Sequence, residues 1–439
     1  MRIAIVGSGV SGLVAARLLA EAHDVVVFEA SERVGGHVNT ISVSRGDDEL
    51  SVDTGFIVYN SRTYPLFTRM LRDLGVSSVD APMSFSVSCD RTGLEYNGSS
   101  FNGLFAQRRN LLRLRFQKML RDILRFNREG PVDHEIISDD VTVGEYVAQK
   151  RFSNEFAQHY LLPMGAAIWS CPFSAFEQFP VKFILEFYIN HGLLSLRDRP
   201  QWRVIKGGSK TYVDRLIRPF QSFIRTACPV RSVRRHDNYV AVSHSDGTEH
   251  FDEIVLACHS DQALKLLEDP DPLERELLSA FPYSKSSAVL HTDVSRLPRR
   301  RRAWAAWNYR IPSTCESRPT LTYNMNILQG IVSRDTYCVT LNEDDAIAPD
   351  TIIAKFKYSH PLFTTDRAKI QERHHEVIRR RRTSYCGAYW RNGFHEDGVV
   401  SAVAVCRKFG IERWTDDDAR SLRKNRTACH SSALTGTNV

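Results

Sequence analysis

The feature of this sequence that most restricts its fold lies at the N-terminus, where a short apolar run meets a glycine-rich segment. Residues 2–6 (RIAIV) have the composition of a buried strand, and the segment 7-GSGVSG-12 follows directly. A helical pattern occupies residues 13–20, and a second predicted strand, residues 24–28, ends at Glu29. A strand, a glycine loop, a helix, a strand and an acid in this order predict a dinucleotide-binding βαβ unit.

The residues of this loop have distinct expected roles in holding a dinucleotide. Gly7 permits the tight turn, Gly9 lets a pyrophosphate approach the backbone, and Gly12 lets the helix pack on the strand. Ser8 and Ser11 lie between these glycines, at the N-terminus of the helix. The amides and the positive dipole end of that helix attract phosphate, so both serines are expected in the cofactor site.

A second glycine pair favours FAD over NAD as the cofactor. Glu29, 20 residues after Gly9, is expected to accept hydrogen bonds from the ribose hydroxyls of adenosine, and its charge disfavours NADP. The segment 30-ASERVGGHVNT-40 follows at once. An NAD enzyme has no particular use for glycines there, whereas FAD continues past the pyrophosphate and needs a second close approach of the backbone. The expected contacts in this segment are Arg33, Gly35, Gly36 and His37.

These motifs, followed by 53-DTG-55, resemble the flavin-containing amine oxidase superfamily, which includes protoporphyrinogen oxidases and carotenoid desaturases. Further stretches resemble one bacterial branch of FAD-dependent oxidoreductases, often encoded beside cyclopropane-fatty-acyl-phospholipid synthases. These stretches are 52-VDTGFIVYNSRTYP-65, 160-YLLPMGAAIWS-170, 199-RPQWRVIKGGS-209, 255-VLACHSDQAL-264 and 387-GAYWRNGFHEDG-398. The resemblance covers roughly residues 1–410. It implies an α/β fold with a doubly wound, Rossmann-type FAD-binding domain and an inserted α+β substrate domain.

The FAD-binding domain is expected to be discontinuous in sequence. Its predicted pieces are residues 1–60, 204–265 and 383–411, and the substrate domain is predicted at residues 61–203 and 266–382. In the superfamily, the strand that corresponds to the one beginning near Val230 lends backbone groups to the adenine, which implies a cofactor contact at Val230. Residues 412–439 are polar and predict a disordered tail.

Composition excludes several classes of protein. The net charge of +7 is modest for 439 residues and nucleic-acid-binding motifs are absent, so we expect no nucleic-acid partner. The nine cysteines are scattered and contain no C-x-x-C pair, which predicts no structural metal site and favours a reducing cytoplasm. No apolar run approaches the roughly 20 residues that span a bilayer.

A predicted helix at residues 104–129 combines an apolar stripe with many arginines. The stripe consists of Leu112, Phe116, Met119, Leu120, Ile123 and Leu124. One interpretation is a helix packed on the core with a solvated basic face. The other is a helix that makes a peripheral contact with the anionic inner face of a membrane, where a lipid substrate would be collected. The oligomeric state is not predictable from the sequence.

Near the C-terminus, 387-GAYWRNGFHEDGVVSA-402 resembles the closing motif of the superfamily, where a turn runs into a helix whose N-terminus faces the flavin. Asp397 is the predicted N-cap of this helix, and Gly398 is expected to keep the approach to the cofactor close. His395 and Glu396 stay open as catalytic groups that meet the substrate.

His191 is the third catalytic candidate, because unperturbed imidazole titrates near 6.5 and suits acid/base work. Aromatic and polar residues of the predicted substrate domain are expected around a pocket that would suit an acyl chain. They are Tyr59, Asn60, Trp169, His191, Trp202 and the run 304-WAAWNYR-310.

Three positions depart from the pattern of the superfamily. Flavin amine oxidases keep a lysine on the strand that leads into the second substrate segment. That position falls near residues 287–288 here, and Lys285 is out of phase with it. His37 and Ala388 stand where many relatives have an arginine and a glutamate. The missing lysine weakens the expectation of amine oxidation.

The sequence therefore predicts an FAD-dependent oxidoreductase that removes a hydride from a C–H bond of a hydrophobic substrate, with a fatty-acyl lipid favoured. Two alternatives remain. One is a flavin amine oxidase that releases peroxide, and the other is a flavin-binding partner protein without turnover of its own.

Overall fold

The computed structural model describes residues 1–45, 48–169, 171–195, 199–313, 320–364 and 366–414. Its strands, in chain order, are β1 (Arg2–Val6), β2 (Asp24–Phe28), β3 (Thr40–Arg45), β4 (Asp48–Asp53), β5 (Val58–Asn60), β6 (Ser78–Asp80), β7 (Phe85–Cys89), β8 (Leu94–Asn97), β9 (Trp202–Ile205), β10 (Ile224–Arg225), β11 (Val230–Arg235), β12 (Val240–His244), β13 (Gly247–Phe251), β14 (Glu253–Leu256), β15 (Tyr283–His291), β16 (Trp307–Ile311), β17 (Thr320–Asn324), β18 (Cys338–Leu341), β19 (Ile352–Pro361) and β20 (Thr383–Tyr385).

The α-helices are α1 (Val10–Leu19), α2 (Pro65–Asp73), α3 (Phe101–Leu104), α4 (Leu114–Ile136), α5 (Val143–Gln149), α6 (Asn154–Phe156), α7 (Leu162–Trp169), α8 (Phe173–Glu177), α9 (Val181–Asn190), α10 (Lys210–Ile217), α11 (Ser260–Leu266), α12 (Pro272–Ser279), α13 (Met325–Leu328), α14 (Arg367–Glu372) and α15 (His395–Arg407). Of the tail predicted at residues 412–439, residues 415–439 lie outside the described residues.

A five-stranded parallel sheet in the order β10-β2-β1-β14-β20 supports the N-terminal glycine loop. Ile3 and Ile5 of β1 pack on the face that carries α1, α10 and α15. Ala4 and Val6 pack on the opposite face, against the antiparallel sheet β11-β12-β13 and helices α11 and α12. Both faces of the sheet are covered, which explains the apolar runs of its central strands and confirms the predicted doubly wound fold.

The second predicted piece of the cofactor domain extends further than the sequence suggested. Leu277 and Leu278 of α12 are fully buried in the same cluster as Val6 and Phe28. Helix α12 therefore belongs to the layer beneath the parallel sheet, and the predicted boundary at residue 265 is too early. The chain leaves this layer only after Phe281, another member of the cluster. The sequence alone offers no break at residue 265.

The remaining chain forms a seven-stranded sheet in the order β19-β15-β18-β17-β16-β7-β8, covered by helices. Phe116 and Met119 of α4 lie in its apolar cluster. Further along α4, Phe126 packs into an aromatic cluster with Tyr146, Phe156 and Tyr188 from the neighbouring helices. These two clusters form the hydrophobic core of this part of the molecule.

The helix predicted at residues 104–129 begins later and ends later than expected. The structure has the short α3, a 3-10 turn at Arg108–Leu111, and then α4 up to Ile136. Ser100 caps the start of α3 by accepting from the amide of Gly103, and Gln117 of α4 donates to the carbonyls of Asn110 and Leu111 in the turn between the helices.

The predicted apolar stripe is also partly wrong. Leu112 and Leu124 are exposed, whereas Phe116 and Met119 are buried. Helix α4 continues through Pro131, where the sequence predicted an end. Among the described residues, no helix combines the length and the apolar content needed to cross a bilayer.

Candidate active site

The first glycine loop is shaped by close backbone contacts. Gly7 has a φ of +104°, and a Cβ at this position would lie 2.9 Å from the carbonyl oxygen of Ala257. A Cβ at Gly12 would lie 2.0 Å from the carbonyl oxygen of Gly7, so α1 packs against the loop only because residue 12 is glycine. Around Gly9, by contrast, none of the described residues comes within 4 Å of an added Cβ, which leaves this face open to a ligand.

The carboxylate of Glu29 is held in place by the loop. One oxygen accepts from the amide of Ser8 at 2.9 Å and from its hydroxyl at 2.5 Å, and the other accepts from the amide and hydroxyl of Ser31 at 2.9 and 2.8 Å. Burial acts to raise the pKa of Glu29, but these hydrogen bonds outweigh it and lower the pKa. Two of the four donors are hydroxyls that can turn away, so ribose hydroxyls have acceptors available at this carboxylate.

The second glycine pair lies directly against the first loop. The amide of Gly35 donates to the carbonyl of Ser8 at 3.0 Å, and Gly35 has a φ of +122°. A Cβ at Gly36 would lie 2.9 Å from the Cα of Gly9. The two loops therefore form one surface, and the backbone of both can approach the same ligand.

Arg33 shapes the second loop and does not line the cavity. Its guanidinium donates to the carbonyls of Val38 and Gly36, each at 2.7 Å. Four residues after Arg33, His37 lines the cavity, and its Nε2 is buried without a hydrogen-bond partner among the described residues. Burial, together with the neighbouring imidazole of His360, holds the pKa of His37 well below 6.5.

The closing helix α15 begins two residues before the position predicted for its N-cap. Phe394 precedes the helix with extended backbone angles, and Asp397 is the third helical residue. The Asp397 carboxylate accepts from the amide of Phe394 at 2.9 Å, so the prediction of Asp397 as the N-cap is wrong. A Cβ at Gly398 would lie 2.6 Å from Cγ1 of Val10, so Gly398 allows α15 to pack on α1. Neither residue lines the cavity.

Glu396 lies behind the cavity wall and caps another helix. Its two carboxylate oxygens accept from the amides of Leu66 and Phe67, at 3.0 and 2.9 Å, at the N-terminus of α2. Burial raises the pKa of Glu396 to about 8, against the opposing effect of these two donors. Both oxygens are occupied and the side chain does not line the cavity, which argues against the predicted catalytic role.

Replacement of Glu396 by glutamine is expected to destabilise the protein by about 1–3 kcal/mol without abolishing cofactor binding. The amide has one oxygen acceptor in place of two, so one buried N–H of α2 loses its partner. Urea unfolding measures the loss, and the flavin content of the folded fraction measures the site. Normal stability with lost turnover would instead restore Glu396 as a catalytic group.

One cavity of about 890 Å³ connects the glycine loops with the substrate side of the molecule. At the nucleotide end it is lined by the exposed residues Ala30 and Lys265. At the far end the exposed lining residues are Gly98, Ser99 and Arg199, so the cavity reaches the surface there as well. The chamber between them is mainly apolar, with walls that include Met83, Phe85, Tyr160, Met164, Ile168 and Tyr323.

Charged side chains are rare along this cavity. Among the described lining residues, Glu29 is the only carboxylate, and Lys265 and Arg199 are the only lysine and arginine. Glu29 and Lys265 belong to the nucleotide end. Lys285 is exposed and is not a lining residue, so the structure brings no lysine from β15 to the cavity.

The two histidine candidates both line the cavity, and burial keeps both neutral. The Nδ1 of His191 donates to the carbonyl of Phe187 at 2.8 Å, and its ring stacks on that of Phe187 with centroids 3.7 Å apart. The Nε2 of His395 lies 3.1 Å from the hydroxyl of Tyr212, and its ring stacks on Phe56 at 3.5 Å. Burial lowers the pKa of His191 to about 4 and that of His395 to about 3.

Of the aromatic residues expected around a pocket, the structure brings some together. Trp169, Trp202 and Trp307 line the cavity, whereas Tyr59 and Asn60 do not. Sequence reasoning missed His360, which lines the cavity with its ring centroid 5.3 Å from that of His37. Only the pairing of β19 with β15 places His360 there, and no local motif indicates it.

The residues present fit a flavin dinucleotide. Gly7, Ser8, Gly9 and Ser11 line the nucleotide end together with Glu29, and Val230 from β11 closes the wall beside them. The open space at Gly9 and the buried, unpartnered Nε2 of His37 are the features that a bound diphosphate group would use. Gly12, Arg33 and Gly35 do not line the cavity, and they contribute to the site only by shaping the two loops.

Comparison with known sequences gives consistent matches. The family model of the flavin containing amine oxidoreductases matches residues 10–320. Amine oxidase [flavin-containing] A of Bos taurus is 24% identical over 248 residues, which is 55% of this chain and 46% of that protein. L-amino acid oxidase of Cerastes cerastes is 55% identical over 49 residues, 11% of this chain and 9% of that protein. The match thus spans about half the length of the first relative and a small part of the second.

Solved structures resemble this chain over nearly its whole length. The CLA-producing fatty acid isomerase from P. acnes gives a TM-score of 0.67 at 15% identity, over 93% of this chain and 98% of that one. Cyclohexylamine oxidase from Brevibacterium oxydans IH-35A gives 0.65 at 13% identity, over 93% and 99%. A protein described as a protoporphyrinogen oxidase from Exiguobacterium sp. 255-15 gives 0.67 at 17% identity, over 94% and 99%. At these identities the likeness concerns the fold alone.

Proposed function

The chain belongs to the flavin-containing amine oxidoreductase family, as its motifs indicated, and from this premise we propose that it removes a hydride from a C–H bond of a fatty-acyl substrate. FAD is the cofactor of this flavin-containing family. The observation that carries the proposal is the part of the cavity beyond the cofactor loops, which is mainly apolar and without a carboxylate among its described lining residues. An extended hydrocarbon chain gains most from such walls, at roughly 25 cal/mol per Å² of apolar surface buried.

When bound, FAD supplies the acceptor for a hydride, which carries two electrons. The protein's own residues then have three tasks: to hold the chain, to exclude water and to handle one proton. If a hydride leaves one carbon and a proton leaves its neighbour, the product is a C=C bond and the proton needs an acceptor. The electrons finally pass to oxygen or another acceptor.

Of the two candidate histidines, His191 is the better arranged to take that proton. Because a carbonyl oxygen only accepts, the contact with Phe187 places the ring proton of His191 on Nδ1 and leaves the lone pair on Nε2. Its low pKa keeps the ring in this neutral form at physiological pH. His395 shares its Nε2 with Tyr212, which makes it the less available of the two imidazoles.

The test is the visible absorption of the purified protein under anaerobic conditions. We expect a flavin spectrum that long-chain fatty acids or phospholipids bleach and that simple amines leave unchanged. Bleaching by amines with peroxide release in air would replace the proposal by amine oxidation. That second candidate has some support, because aromatic walls such as those of Trp169 and Tyr323 attract cations. A flavin that none of these compounds bleaches would indicate a protein without turnover of its own.

A charged wall should distinguish an apolar substrate from a polar one. Ile168→Asp places a carboxylate in the chamber, and the cost of desolvating it against a hydrocarbon is expected to slow acyl-dependent bleaching by about 100-fold. Val332→Asp is the matched control, since Val332 is 91% exposed. Flavin content should be normal in both variants. Equal bleaching rates would show that the substrate does not occupy this part of the cavity.

A further inference from the structure

Large apolar side chains are exposed together where α3 leads into α4. Leu112 and Leu114 are 89% and 84% exposed, and Phe101 is 68% exposed. Leu111, in the 3-10 turn between the two helices, is 44% exposed. We call the four side chains of Phe101, Leu111, Leu112 and Leu114 the apolar corner. Monomeric proteins rarely leave several large apolar side chains in one short segment in water unless something covers them.

The apolar corner is surrounded by positive charge. Between residues 98 and 121 the chain has six lysines and arginines and no aspartate or glutamate. Arg108, Arg109, Arg113 and Lys118 are all exposed. Arg115 has a neighbouring acid, with 3.7 Å between its Nε and Glu155, and its side chain is still 90% exposed.

A second basic segment from a distant part of the chain lies beside the first. The run Arg299–Arg302 is exposed, and the turn at Arg301–Ala303 contacts α3. Glu95 of β8 holds this run by accepting from the amides of Arg299 and Arg300, at 2.8 and 3.3 Å. A second basic segment, about 180 residues further along the chain, thus lies beside α3, the helix that carries the exposed Phe101.

The apolar corner also adjoins the far opening of the cavity. Gly98 and Ser99 are exposed residues that line the cavity, and they precede Phe101 by two or three positions. Anything that covers the apolar corner therefore lies next to the opening through which a substrate reaches the apolar chamber. A lipid surface fits this arrangement better than a protein surface does, because it matches the apolar corner, the basic residues around it and the adjacent apolar cavity.

We propose that the apolar corner docks on an anionic membrane and brings the opening at Gly98–Ser99 against the lipid. Phe101, Leu111, Leu112 and Leu114 insert among the acyl chains, and the surrounding arginines contact the acidic headgroups. The docking surface rests on its own geometry. Collection of a fatty-acyl substrate through it rests on the proposed function. This docking surface differs from the membrane contact predicted from the sequence. It lies at the start of α4, whereas the predicted contact ran along the basic face of that helix.

The experiment is co-sedimentation of the flavin-loaded protein with vesicles of phosphatidylcholine, with and without phosphatidylglycerol. We expect binding that requires phosphatidylglycerol, weakens as salt is raised, and falls at least tenfold in Leu112→Ser/Leu114→Ser. The matched control is Val132→Ser/Ile136→Ser, whose residues are 63% and 77% exposed on the same helix, with Ile136 about 33 Å from its start. A second pair, Arg113→Gln/Lys118→Gln, should also lose about tenfold or more.

The outcomes separate this proposal from the proposed function. Equal binding to neutral and anionic vesicles, no binding to either, or an equal loss in the control pair would overturn the docking surface. A protein that sediments with vesicles as expected and whose flavin no acyl compound bleaches would keep the surface and lose the fatty-acyl substrate. Bleaching by acyl chains in detergent without any vesicle binding would give the opposite result.

Discussion

Replacement of Gly9 by alanine is expected to leave the apoprotein folded and to weaken FAD binding by about 100-fold. The backbone of Gly9 has a φ of −69° and a ψ of 177°, which any residue adopts, and among the described residues nothing lies within 4 Å of the added methyl group. The methyl group would fill only the space that the cofactor's diphosphate is expected to use. Flavin titration measures affinity, and urea unfolding of the apoprotein should agree with the wild type within about 0.5 kcal/mol.

Gly12→Ala is the informative contrast. Its Cβ would lie 2.0 Å from the Gly7 carbonyl oxygen, so the loop and α1 must separate before any cofactor arrives. We expect this variant to lose stability in the apoprotein as well as affinity. Normal FAD affinity in Gly9→Ala would mean that the diphosphate lies elsewhere, whereas unfolding of Gly9→Ala would show that the loop is more crowded than its geometry indicates.

The sequence predicted the parts of the site that depend on local backbone geometry. Gly7 indicates a turn, Gly9 a backbone face open to a ligand, and Gly12 a helix packed closely on the loop. Each of these features depends on a missing Cβ within one continuous segment. Such constraints can be read from spacing alone. The same holds for Glu29, whose distance from the loop follows from the length of one helix and one strand.

The parts that the sequence did not predict depend on contacts between distant segments. Glu396 resembled a catalytic acid, but its partners are the amides of residues 66 and 67, about 330 positions away. Leu112 belonged to a convincing apolar stripe, yet α4 begins after it. In both cases a side chain suited to one role is used for another, because tertiary contacts determine which atoms each side chain meets.

The scarcity of charged side chains among the described residues that line the cavity is a related case. No motif marks Met83, Met164 or Ile168, and each would be an ordinary core residue if the cavity between the two halves of the molecule were filled. They line the cavity because of their position in the tertiary fold, not because of their residue type. The proposed substrate class therefore rests on the cavity that the fold leaves open, whereas the cofactor could be predicted from local sequence motifs.

The folded protein is expected to lose stability steeply as the pH falls from about 6.5 towards 4. Burial lowers the pKa of His191, His291, His360 and His374 to about 4 and that of His395 to about 3. Between these pH values the unfolded chain binds protons at these histidines and the folded chain does not, so acid favours unfolding. The stability that the neutral histidines contribute is therefore fully present only above pH 6.5. Each such histidine contributes about 1.4 kcal/mol per pH unit.

His291 is the best position at which to check this expectation, because it is fully buried and does not line the cavity. Its Nε2 lies 2.7 Å from the hydroxyl of Thr340, and its Nδ1 accepts from the amide of Asp293 at 3.0 Å. Glutamine offers both a donor and an acceptor but does not titrate, so His291→Gln should flatten the pH dependence of the free energy of unfolding, measured in urea between pH 4 and 7. His236→Gln, at an exposed position, is the control. An unchanged slope in His291→Gln would mean that the folded and unfolded chains protonate this imidazole equally, so that its pKa is not lowered by the fold.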